Sequence, residues 1–144
     1  VSEIPLLLEA VHPDPNINVP LLRKSLEHIT AHPEQWEQHS WAVQTESCGT
    51  QFCLAGWAVS LAGHDIEWGE PDEFGERFAD GVIGEYDSLG NPESVENVAR
   101  RELGFTANNR GGYMFFGSNT LGNLWHLANT LTCGEIDVPE EFLR

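Results

Sequence analysis

One stretch limits the fold more than any other. From Phe52 to Ala62 the chain runs Phe52-Cys53-Leu54-Ala55-Gly56-Trp57-Ala58-Val59-Ser60-Leu61-Ala62, with no charged residue. It is far shorter than the roughly 20 apolar residues of a membrane span. Ala55, Ala58 and Ala62 favour helix over buried strand. A helix apolar on every face has to be buried. The expectation is a central helix over about 52–62, capped from the turn Ser47-Cys48-Gly49-Thr50 and stopped at Gly63. Gly56 lies inside it, where Gly costs about 1 kcal/mol against Ala. Close approach of another backbone would account for that choice.

The flanking sequence supplies partners for such a helix. Residues 1–19 read as an irregular arm, broken by Pro5, Pro13 and Pro15. Asn18 and Pro20 open a helix whose Leu22, Leu26 and Ile29 share a face, and Pro33 ends it at His32. Asn91-Pro92-Glu93 reads as a second helix start, followed by the apolar face Val95, Val98, Ala99 and Leu103 and by Gly104 as the stop. Thr106 could open a further helix through Met114 and Phe116, against the irregular run Asn108-Asn109-Arg110-Gly111-Gly112. A last stripe combines Leu121, Leu124, Trp125, Ala128 and Leu131, after a cap at Ser118-Asn119-Thr120. No internal repeat stands out. The predicted architecture is mainly α: one compact helical domain, 1–144, with the Leu22, Val95 and Leu124 helices packed around the central one.

Charge is the second constraint. Twenty-three acidic residues face seven basic ones, for a net charge of −16. Such an excess repels phosphate backbones and anionic membranes, so direct nucleic-acid binding is disfavoured and a partner with a basic surface is favoured. Half of the charge lies in one segment. Residues 65–87 hold nine acids against Arg77 alone, a net −8, interleaved with Trp68, Phe74, Phe78, Val82, Ile83 and Tyr86. This acidic excursion is expected to be irregular, with room for short strands. Val1–Val11 lacks a basic start and a cleavage pattern, and three cysteines do not suit a disulfide scaffold. The expected location is the cytoplasm.

His32-Pro33-Glu34-Gln35-Trp36-Glu37-Gln38 with Trp41, followed by Cys48-Gly49-Thr50-Gln51-Phe52-Cys53-Leu54-Ala55-Gly56-Trp57-Ala58, forms a specific combination. It resembles small uncharacterised proteins of actinobacteriophages and bacteria that share the pattern HPExWxQxxW…CGTxxCxAGWA. Asn119 to Leu127, with Ile136 and Pro139, is similar to the same group. The resemblance implies a phage or actinobacterial accessory protein and carries no activity with it.

Three functions compete on the residues. The leading one is a non-enzymatic binding protein that contacts a basic host protein, as a nucleic-acid mimic or inhibitor, through Glu67, Trp68, Glu70, Asp72, Glu73, Glu76 and Asp80. Trp68 is the expected aromatic anchor among these carboxylates. The second is a self-assembling homo-oligomer that buries its spare aromatics. The third is a small metal module or enzyme on Cys48, Cys53, His28 and His32, since four residues separate the cysteines and the histidines are i,i+4. The bland reading of that set is a packed thiol and a helix-end imidazole. No nucleophile signature or phosphate-binding loop surrounds any candidate, and no cofactor is expected.

Overall fold

The chain folds as a mixed α/β unit, not as the mainly α domain that helical periodicity predicts. The computed structural model describes residues 14–45 and 49–143. The described elements are α1 (Val19–Ala31), β1 (Ala42–Thr45), β2 (Gly49–Phe52), α2 (Leu54–Leu61), β3 (Ile66–Trp68), β4 (Arg77–Val82), α3 (Val95–Leu103) and α4 (Leu121–Leu131). Short 3₁₀ turns add Pro33–Gln35, Gly111–Phe115 and Glu140–Phe142. The strands form one antiparallel sheet in the order β2-β1-β4-β3.

The sheet corrects the expected start of the central helix and gives the acidic excursion its strands. Gly49 and Thr50, read as part of a turn and cap before the central helix, are strand residues of β2, which pairs with β1 as Ala42 with Phe52 and Thr45 with Gly49, while Ser47 and Cys48 lie outside the described residues. Phe52 therefore belongs to β2, and the helix begins only at Leu54, with Cys53 rather than Thr50 at its N-cap. The 65–87 excursion holds the short strands it had room for, and they pair as a hairpin within the sheet: Ile66 pairs with Val82, and Val43 pairs with Phe78 across the sheet centre.

The central helix keeps its place in the core. Leu54, Ala55, Gly56, Ala58 and Val59 are buried, while Trp57 and Ser60 are half-buried at its rim. Gly63 adopts φ +98, and the bonds Gly63 N to Ser60 O (3.1 Å) and His64 N to Val59 O (3.2 Å) close the end as a Schellman turn. A Cβ on Gly56 would overlap the carbonyl oxygen of Trp41 and come within 2.8 Å of the Phe52 Cβ. That is the close backbone approach its position demands. α2 packs on α1 and α3, whereas α4 lies mainly against α1 and the Gly111–Phe115 turn and not against the central helix as expected.

Buried polar groups tie these layers together. Gln38, 6% exposed, accepts from Trp36 Nε1 (2.9 Å) and from Leu54 N (3.2 Å), so it supplies the α2 cap that Cys53 does not. Its amide donates to Met114 O (2.9 Å) and Phe116 O (3.2 Å). Asn18 serves two helices. Its Oδ1 accepts from Leu21 N (3.2 Å) at the start of α1, while its backbone N donates to Leu103 O (2.9 Å) and its Nδ2 to Glu102 O (3.1 Å) at the end of α3. α3 starts at Val95, with Ser94 capping Asn97 N (3.1 Å), later than the Asn91-Pro92-Glu93 signal implied. The reason is that Glu93 is engaged in backbone pairing with Val82 and Glu85. Likewise α4 is capped by Thr120, and the region after Thr106 forms a 3₁₀ turn in place of an α-helix.

Candidate functional site

The acidic hairpin is ordered by its own side chains. Asp72 Oδ1 accepts from Phe74 N (2.8 Å) and Glu76 N (2.9 Å), Asp72 N donates to Glu76 O (2.9 Å), and Gly75 takes φ +77. Fifteen positions along, the geometry recurs: Asp87 Oδ1 accepts from Leu89 N (2.9 Å) and Asn91 N (3.0 Å), Asp87 N donates to Asn91 O (2.9 Å), and Gly90 takes φ +83. Asp72-Glu73-Phe74-Gly75-Glu76 and Asp87-Ser88-Leu89-Gly90-Asn91 are thus one turn used twice. Asp opens such turns and Gly supplies the left-handed residue. The third position, usually polar, carries Phe74 and Leu89, 78% and 84% exposed. The repeat is the signal in the sequence that finds these two residues, and a search for long repeats passes over it.

Exposure divides the predicted contact residues. Glu67, Glu70, Asp72, Glu73 and Asp80 are exposed and Glu76 half-buried. Trp68, the expected anchor, is half-buried: its ring stacks on Phe52 at 6.1 Å and 18°. Phe74 stands out instead, with Phe78, Ile83 and Tyr86 also exposed. Glu67, Glu70, Glu73, Glu76 and Asp80 form no ion pair among the described residues. Glu85 differs: it is held by Arg101 Nη2 (3.0 Å) and His64 Nδ1 (3.5 Å), and His64 also meets Glu102 (3.1 Å). Its charge is spent in linking the hairpin to α3.

Among the described residues Cys53, His28 and His32 do not come together as a ligand set. Cys48 lies outside the described residues. The buried Cys53 Sγ points to Trp41 O (3.6 Å), and burial pushes its thiol up to about 11, leaving it protonated at neutral pH. His28 Nε2 is hydrogen-bonded to Gln35 Oε1 (3.0 Å), and its ring sits between His32 (4.8 Å) and Trp57 (4.1 Å). Among the described residues no three His, Cys, Asp or Glu side chains converge as metal ligands, and no helix is long and apolar enough to cross a membrane.

Comparison with family models, with curated proteins and with solved structures finds no match.

Proposed function

We propose that this chain is a non-enzymatic accessory protein of phage or actinobacterial origin that docks its 65–87 hairpin on a basic protein surface in the host cytoplasm. The observation that carries the reading is the hairpin tip. A rigid turn holds Phe74 78% exposed, beside carboxylates at Glu70, Glu73 and Glu76 that no basic group of the described chain neutralises. A desolvated aromatic anchor with a rim of like charge fits a partner whose own surface binds phosphates, and electrostatic attraction speeds encounter with it. The hairpin then stands where a nucleic acid would, and inhibits.

The tagged chain, exposed to host lysate at low and at moderate salt, should retain a protein that double-stranded DNA displaces. The triple change Glu70→Gln, Glu73→Gln, Glu76→Gln leaves the Asp72 turn intact and should abolish retention, as should Phe74→Ser. Retention that survives both variants, or that salt does not weaken, refutes the proposal.

Self-assembly through the same hairpin is the weaker reading, because two copies would bring two −8 segments together. Light scattering separates the two: a monomer at high concentration is expected.

A further inference from the structure

The sheet has two edges, and the described residues close one of them. At β2, Glu37 N donates to Phe52 O (3.0 Å), Trp36 bridges to Phe52, and Gln51 Nε2 donates to Glu34 O (3.1 Å), so the segment after α1 runs along that edge. The other edge is β3. Ile83 N donates to Asp65 O (2.9 Å) and Gly69 N to Phe78 O (2.9 Å), and Glu67 pairs with Gly81, so these alternate residues turn their backbone groups to β4. Ile66 and Trp68, between them, turn theirs away, and among the described residues those groups have no hydrogen-bond partner. We propose that this edge takes up an extended basic segment of the partner protein as an added strand, which rests on the docking of the 65–87 hairpin proposed above.

An unpaired strand edge is a template for any extended chain, so its side chains decide what it admits. Along β3, Ile66 is buried, Glu67 exposed and Trp68 half-buried. The extra residue of the bulge, Asp80, lies on β4, so this alternation is unbroken. Asp65 shares the exposed face with Glu67, and neither carboxylate forms an ion pair among the described residues. Residues directly opposite on neighbouring strands share a face. The matching strand therefore has Lys or Arg opposite Asp65 and Glu67, and apolar side chains opposite Ile66 and Trp68, whose ring on Phe52 carries the core to the edge. A second copy does not fit, because edge to edge it sets these carboxylates against their own kind. In strand addition, main-chain bonds supply affinity and alternate side chains supply specificity.

Amide hydrogen exchange of the full chain, alone and with the end-blocked peptide Lys-Val-Lys-Val-Lys, tests the assignment. In the free chain, Ile66 and Trp68 should exchange at least about tenfold faster than Glu67 and Gly69. The peptide should bind with a Kd of about 1 mM or tighter. At roughly ten times its Kd it should slow Ile66 and Trp68 about tenfold and leave Glu67 and Gly69 unchanged. Methylating the backbone nitrogens of the valines, or instead of the lysines, removes donors from one side of the peptide. One of these two peptides should bind at least about tenfold more weakly, and the other like the parent. Glu67→Lys should weaken the parent peptide about fivefold.

No protection of Ile66 and Trp68 up to about 10 mM peptide overturns the proposal. So does parental binding by both methylated peptides, or an unchanged affinity in Glu67→Lys. The tip variants separate the edge from the tip, and Phe74→Ser should bind the peptide as the parent chain does. Lysate retention that survives those variants, with Ile66 and Trp68 still protected by peptide, refutes docking through the tip and supports the edge. Retention lost in those variants, with no protection by peptide, refutes the edge and supports the tip.

Discussion

Replacing Gly56 by Ala sets two physical effects against each other. Helix propensity alone favours Ala by about 1 kcal/mol inside α2. The structure predicts the opposite sign. The new Cβ would overlap the Trp41 carbonyl and stand 2.8 Å from the Phe52 Cβ, and both obstacles are anchored by backbone. Ala42 and Phe52 are paired in the β1–β2 hairpin, so neither side can retreat by rotating a flexible chain end. Overpacking of this kind costs about 1–3 kcal/mol. Taking the upper end for a double obstruction and crediting the propensity gain, Gly56→Ala should lose about 2 kcal/mol. Urea unfolding, followed by tryptophan fluorescence and far-ultraviolet circular dichroism, should show a midpoint lower by about 1 M with an unchanged slope. Thermal unfolding should fall by about 4–8 °C. Gly63→Ala provides the contrast, since nothing lies within 4 Å of its added Cβ and only the φ of +98 opposes it. It should lose about 1 kcal/mol. A Gly56→Ala variant as stable as the parent, or more so, would refute the seating of the Trp41 carbonyl on α2.

Other substitutions probe the remaining features. Gln38→Leu removes four hydrogen bonds from a residue 6% exposed and should destabilise by about 3–5 kcal/mol in the same urea assay. Asp72→Ala and Asp87→Ala should each lose about 1 kcal/mol, while Phe74→Ser and Leu89→Ser should stay within about 0.5 kcal/mol of the parent, because those side chains support nothing. The Cys53 thiol has its pKa raised from 9.0 to about 11 by burial, so the folded state holds its proton longer than the unfolded state. Stability from this site is fully present below pH 9 and is lost as pH rises toward 11, by about 3 kcal/mol in all, and Cys53→Ala should flatten that part of the alkaline stability profile.

The helices were legible because their signals are local. Asn18, Pro20 and Pro33 bracket α1, and Gly63 and Gly104 stop α2 and α3 with left-handed φ. The sheet was not, because its strands are three to six residues long and β4 contains Asp80 and Gly81. Strand pairing such as Val43 with Phe78 is fixed by tertiary contact and leaves no periodic mark nearby. The candidate acidic surface was visible as a count of charges. Which aromatic it presents was not, since the register of β3 buries part of Trp68 and a turn holds Phe74 outward.

Asn18 carries one more consequence. Helix ends normally fray independently, each at its own cost. Here one residue satisfies the first turn of α1 and the last turn of α3, across 84 positions of sequence. The first turn of α1 and the last turn of α3 meet at this residue, so the positive end of one peptide-dipole array lies close to the negative end of the other. Their terminal amides should therefore exchange with solvent in a single concerted opening, making a unit of cooperativity that no stretch of sequence contains.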